Sequence, residues 1–159
     1  MNLKKSYVEK YGYEKVITNR NSPLCYAETD MLKLRDGTSA KIDEKGKEFA
    51  LIVLNGSITV TGKDFKFEKV GVRKTVFDGV GEAVYVGKDE EFTVTATGGD
   101  AKVCIAKAPA EKHIKAQVIR TADIKTKELG KGAYKRTAAF NVAENAEANL
   151  LYIGEFWVE

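Results

Sequence analysis

A chain of 159 residues falls in the size range of one folded domain and is long enough to bury a core without cross-links. With 43% hydrophobic and 31% charged residues, and no window near the roughly 20 apolar residues that cross a bilayer, it excludes disordered, collagen-like and membrane-spanning classes. The net charge of +3 comes from 26 basic and 23 acidic residues interspersed along the chain, which argues against nucleic acid as a partner; the small basic group Lys112, His113, Lys115 reads as a solvated loop.

Residues 1–23 form an N-terminal lead-in segment with Tyr7, Tyr11, Tyr13, Val16 and Ile17 scattered among charges. Its start lacks the continuous apolar stretch of a secretory signal, so a cytoplasmic location is expected, and it ends at the turn-forming Asn21-Ser22-Pro23. Residues 24–110 are a succession of short apolar or alternating runs separated by turn residues. The run 26–34 stops at Arg35-Asp36-Gly37. The run 49–54 stops at Asn55-Gly56, which predicts a tight two-residue hairpin with 57–61 as its return strand. After Gly62-Lys63-Asp64 the alternation of Phe65 and Phe67 continues to Val70, and Thr75-Val76-Phe77 stopping at Asp78-Gly79 predicts another hairpin. Runs at 83–86, 91–97 and 101–106, set apart by Gly87-Lys88-Asp89 and Gly98-Gly99-Asp100, complete the series before Pro109 closes it.

Roughly eight strands of this length predict an all-β, cupin-like double-stranded β-helix, or jelly roll, with short helical turns at its periphery. The span 111–159 is expected to be a linker leading toward a second cupin. It holds a strand at Gln117-Val118-Ile119, a helical turn at Thr121-Ala122-Asp123-Ile124, a glycine-broken loop over 129–137 and a last strand over 149–158. An apolar strand at the chain end requires a neighbour, and a homo-oligomer formed through it is expected.

A metal-dependent cupin needs imidazole and carboxylate ligands converging from neighbouring strands. This chain has one histidine, His113, and it lies after the β block. The first ligand stretch offers Asp43, Glu44 and Glu48, the second Glu90 and Glu91. An all-carboxylate site for a hard cation such as magnesium or calcium is the alternative to solvated turn charges, which is the preferred reading. Cys25 and Cys104 lie far apart inside apolar runs, with neither zinc nor redox spacing, and are expected to be buried thiols. Gly71-Val72-Arg73 and Gly130-Lys131-Gly132 match no phosphate-binding fingerprint. No catalytic, cofactor-binding or metal-binding residue is therefore assigned.

The segments Leu32-Lys33-Leu34-Arg35-Asp36-Gly37, Arg73-Lys74-Thr75-Val76-Phe77-Asp78-Gly79 with Ala83-Val84-Tyr85-Val86 and Phe92-Thr93-Val94-Thr95-Ala96, and Gly132-Ala133-Tyr134-Lys135-Arg136 running on through Asn141-Val142 to Leu150-Leu151 and Glu155, cover most of the chain. In order and spacing they resemble the first half of the 5-deoxy-glucuronate isomerases, a two-cupin family shared with the 4-deoxy-5-hexosulose-uronate ketol-isomerases. The prolines usual in that family around residues 80–87 are absent. The resemblance implies aldose-ketose isomerisation of a sugar uronate in inositol catabolism, with a divalent metal in the second cupin. The family's metal histidines and glutamate belong to that second cupin, which would begin just after Phe156. No site residue carries over, and the resemblance implies a metal-free, structural half that is inactive alone. The rival expectation is a free-standing, non-catalytic cupin that binds a small sugar acid or a protein partner; fold alone does not decide between them.

Overall fold

Alternation of period two places every second side chain of a strand in a shared core, and the chain uses it throughout. The computed structural model describes residues 6–158; residues 1–5 of the lead-in segment and Glu159 lie outside it. In chain order the strands are β1 (Gly12–Ile17), β2 (Glu28–Leu34), β3 (Ser39–Ile42), β4 (Lys47–Asn55), β5 (Ile58–Gly62), β6 (Lys66–Val70), β7 (Ala83–Val86), β8 (Phe92–Ala96), β9 (Ala101–Pro109), β10 (Gln117–Ile119), β11 (Thr126–Leu129), β12 (Arg136–Val142) and β13 (Ile153–Val158). Short 3-10 turns occupy Thr121–Asp123 and Gly132–Tyr134. No helix among the described residues is long and apolar enough to cross a membrane.

A six-stranded sheet in the order β1-β2-β9-β4-β7-β10 faces a four-stranded sheet in the order β3-β8-β5-β6. Leu32, Leu51, Val53, Val84, Val103 and Ile105 from the first meet Ile42, Ile58, Val60 and Val94 from the second. Phe49 and Phe92 pack edge to face across the gap, with ring centroids 5.2 Å apart. This is the expected jelly roll. The outer face of the six-stranded sheet is covered in turn: Ala50, Ile52, Ala83 and Tyr85 pack against Ala139, Val142 and Leu151, which belong to the three-stranded sheet β11-β12-β13 and the segment leading into it. Strands β4 and β7 are thereby buried on both faces, which explains their unbroken apolar runs.

Several local expectations are corrected. Asn55-Gly56 is not a hairpin, because β4 and β5 lie in different sheets. Both edges of β4 are already hydrogen-bonded, to β9 and β7, so the chain can only leave for the opposite sheet. No strand forms at Thr75-Val76-Phe77. The Asp78 carboxylate accepts the Thr75 N–H at 2.8 Å and the Asp78 N–H returns to the Thr75 carbonyl at 3.1 Å, so the backbone is satisfied locally, and Phe77 stands exposed. The lead-in segment contributes β1, antiparallel to β2. The glycine-broken loop over 129–137 is a hairpin connection, with β11 ending at Leu129 and β12 starting at Arg136 in antiparallel register. The last strand begins at Ile153 rather than 149 and already has a neighbour in β12. The strand at 117–119 and the helical turn after it are found where expected.

Gly56 holds φ at +79°, and an added Cβ would run into the Asp100 carbonyl oxygen and the Ala101 backbone. Gly56→Ala should therefore lower stability by about 1–3 kcal/mol, read as an earlier midpoint in urea unfolding at unchanged slope.

Candidate functional site

At one end of the barrel the inward-facing positions stop being apolar. Along β2 the side chains that share a face with Leu32 and Leu34 are Glu28 and Asp30; on β9 Lys107 follows Val103 and Ile105; on β4 Lys47 precedes Phe49. Asp30 and Lys107 are both fully buried. A buried charge persists only with close partners, and these have them. Lys107 Nζ lies 2.5 Å from Asp30 Oδ2, 3.2 Å from Glu44 Oε1 and 3.4 Å from Glu28 Oε2. The Tyr13 hydroxyl, brought in by β1, donates to Asp30 and lies 3.3 Å from Glu44. Lys47 reaches Glu28 at 2.6 Å and Glu44 at 3.2 Å, and Lys15 reaches Glu44 at 2.8 Å. Above this cluster opens a cleft of about 430 Å³, lined by Lys15, Glu44 and Lys47 together with Thr18, Asn19 and Arg20.

The electrostatics follow from the packing. Burial opposes ionisation of Glu44, but the ammonium groups of Lys15, Lys107 and Lys47 outweigh it and bring the carboxyl down to about 2. Glu28 is lowered in the same way, its burial overcome by Lys47 and the Asn19 N–H. Burial would lower Lys47, yet the carboxylates of Glu28 and Glu44 raise it. Burial, reinforced by Asp30, pushes the Tyr13 hydroxyl well above its ordinary range. Glu28, Glu44 and Lys47 are thereby held in their ionised forms at neutral pH, and the Tyr13 phenol in its neutral form.

The carboxylates considered as cation ligands do not converge. Asp43 pairs with Lys45 at 2.7 Å and Glu91 with Lys41 at 2.8 Å, both at the surface. Glu90 lies 3.6 Å from Nε2 of His113, whose Nδ1 is 2.9 Å from the Lys88 carbonyl oxygen. Glu48 points to the other face of the sheet. Among the described residues no group of three or more His, Cys, Asp or Glu is placed to hold a metal ion. The carboxylates that do meet, Glu28, Asp30 and Glu44, meet on an ammonium, so the barrel's own residues do not fit a divalent metal. Cys25 is exposed rather than buried, because β2 starts only at Glu28 and leaves it in the preceding turn. Cys104 is partly covered, and burial pushes its thiol up to about 11, leaving little thiolate at neutral pH.

A second polar assembly fastens the C-terminal segment to the outer face. Glu48, fully buried, accepts the N–H groups of Asn149, Leu150 and Leu151 at 2.7, 2.6 and 2.8 Å and the Tyr85 hydroxyl at 2.7 Å. Arg73 donates from Nε to the Val53 carbonyl at 3.1 Å, from Nη1 to that of Gly79 at 2.8 Å, and from Nη2 to Glu155 at 2.5 Å. Glu155 also accepts the Gly81 N–H at 3.0 Å, and Asn141 donates to the Gly81 carbonyl at 2.6 Å. Glu82 accepts from the Gly71 N–H at 2.9 Å and from Arg120 at 3.0 Å. Sequence reasoning did not single out Lys107, Asp30, Arg73 or Glu155 by role. The available signal was parity: Asp30 and Lys107 stand at core positions of alternating strands.

A sequence profile of the KduI/IolB family matches residues 3–159. The 5-deoxy-glucuronate isomerase of Bacillus subtilis is 32% identical over 146 residues, an alignment covering 90% of this chain and 53% of that protein. Among solved structures, an IolB-like protein from Salmonella typhimurium superposes with a TM-score of 0.85 at 22% identity, covering 93% of this chain and 56% of that one. A cupin protein from Bacteroides fragilis superposes with a TM-score of 0.51 at 17% identity, covering 72% of this chain and 92% of that one. The chain thus spans about half the length of the curated relatives it matches.

Removing the Glu48 carboxylate strands buried donors, each worth about 1–3 kcal/mol when left unpaired. Glu48→Ala should cost at least about 3 kcal/mol, and limited proteolysis should cut near residues 143–152 at denaturant concentrations where the barrel stays intact; Glu48→Gln, which keeps an acceptor, should be milder. Because the Glu44 carboxyl falls from its ordinary 4.5 to about 2 on folding, its stabilising contribution is complete above 4.5 and lost as pH drops toward 2. Urea midpoints measured across that window should fall less steeply for Glu44→Gln than for the parent chain.

Proposed function

This chain belongs to the KduI/IolB family, and from that premise we propose that it is the N-terminal, metal-free cupin of a two-cupin sugar-uronate isomerase, with a structural rather than catalytic part in that enzyme. The observation that supports this reading is the occupied barrel end: the carboxylates that meet inside the barrel, Glu28, Asp30 and Glu44, meet on the Lys107 ammonium. The anchors of Glu48 and of the Arg73–Glu155 pair give the same chain a rigid C-terminal exit, suited to positioning a following domain. In that assembly a divalent metal held by the second cupin polarises the substrate carbonyl for aldose-ketose isomerisation, as a step of inositol catabolism in the cytoplasm. Among the described residues strand β13 is paired on one edge only, which supports a homo-oligomer formed through it; neither nucleic acid nor a membrane is a partner in this reading.

A free-standing cupin that binds a small sugar acid is the second reading, favoured by the cleft over the barrel end, where Lys15, Arg20, Lys45 and Lys47 outnumber Glu28 and Glu44. The test is metal content by plasma mass spectrometry on the untagged chain together with an isomerase assay on 5-deoxy-glucuronate. We expect neither metal nor turnover from the chain alone, and turnover once the C-terminal cupin of the Bacillus subtilis relative is supplied. Stoichiometric metal with turnover from this chain alone would sink the proposal. Calorimetric binding of glucuronate, with no turnover on adding the second cupin, would transfer support to the binding module.

A further inference from the structure

The polar end of the barrel has the composition of a cation site with its cation already in place. Oxygens of Asp30, Glu44 and Glu28, from β2 and the turn before β4, face a single nitrogen at 2.5, 3.2 and 3.4 Å. An ammonium has three donors. Asp30, sealed from solvent, keeps its second oxygen, Oδ1, buried and without a hydrogen-bond partner among the described residues, so the enclosure holds more acceptor capacity than its donors satisfy. Of the neighbouring ammonium groups only Lys107 is enclosed; Lys47 is partly open and Lys15 is half-exposed.

Hard divalent cations take six to eight oxygen ligands drawn from carboxylates, other oxygens and water, and calcium tolerates irregular geometry. We propose that Lys107 is the resident cation of this barrel: a tethered ammonium that takes up the enclosed carboxylates, makes folding of this domain independent of divalent metal, and bars one from entering. The same oxygens become a calcium site when the ammonium is removed. Lysine suits this role because its charge is compact and sits on a stem that lies along the apolar wall. The charge balance agrees, with Glu28, Asp30 and Glu44 set against Lys107, Lys47 and Lys15. Losing Lys107 leaves a net negative, oxygen-lined cavity, and losing Lys47 as well removes the remaining ammonium that bridges Glu28 and Glu44.

The test is the melting temperature of the full chain with EDTA or with calcium chloride. The parent protein should melt at the same temperature in both. Lys107→Ala should melt well below it in EDTA and recover roughly 5–10 °C at calcium a hundredfold above the dissociation constant. The double variant Lys47→Gln, Lys107→Ala should recover at lower calcium, and adding Asp30→Asn to either should abolish the gain. Isothermal titration should find calcium binding in the variants and none in the parent at this site. The proposal is overturned if EDTA destabilises the parent, if calcium stabilises the parent as much as the variants, or if neither variant, folded or not, responds to calcium.

Discussion

Strand β4 is enclosed on both faces and hydrogen-bonded along both edges, and much of the molecule is arranged around that confinement. A strand so placed leaves a polar side chain little access to water, yet its first residues are Lys47, only partly open to the cleft, and Glu48, fully buried. Because neighbours on a strand point to opposite faces, Lys47 enters the barrel and Glu48 the outer layer. Each must find compensation in its own compartment. Lys47 finds it in Glu28 and Glu44; Glu48 finds it in the backbone of residues 149–151. The two polar assemblies, one at the barrel end and one behind the sheet, are adjacent solutions to a single burial problem.

The same confinement explains where reading the sequence succeeds and where it fails. Alternation alone reveals β2, β8 and β9, since each has one buried face. It also places Asp30 and Lys107 in the core, but pattern cannot say that the two charges meet there, because their pairing depends on which strands become neighbours. The hairpin expected at Asn55-Gly56 was a sound local inference that tertiary structure overrides, both edges of β4 being taken. Strand β12 is hidden by the glycines just before it and by Arg136 and Thr137, which lack an apolar alternation; its burial comes from packing against β7 and β4. The motif residues Arg73, Asn141 and Glu155 were visible as a resemblance long before geometry made them one hydrogen-bonded group.

Membership of the family and the occupied barrel end bear on each other. A chain that aligns with about half of an isomerase pairs the carboxylates inside its barrel, Glu28, Asp30 and Glu44, with lysines. That polar interior ties β1, β2, β4 and β9 together through Tyr13, Asp30, Glu28, Lys47 and Lys107. Buried ion clusters often add less stability than apolar packing would, while tolerating fewer alternative arrangements.

The span between Glu48 and its backbone partners has a consequence for synthesis. Glu48 and Leu151 are separated by 103 positions, and at about 5–20 residues per second a ribosome needs roughly 5–20 s to cover that distance. Until then the outer faces of β4 and, once it is made, β7 lack the covering layer that β12 and the residues around Leu151 supply, and Glu48 lacks its backbone partners at 149–151. When the cover arrives, Glu48 is the point on which it closes. A single acidic residue, made early, thus waits for the segment that it clasps in the finished domain.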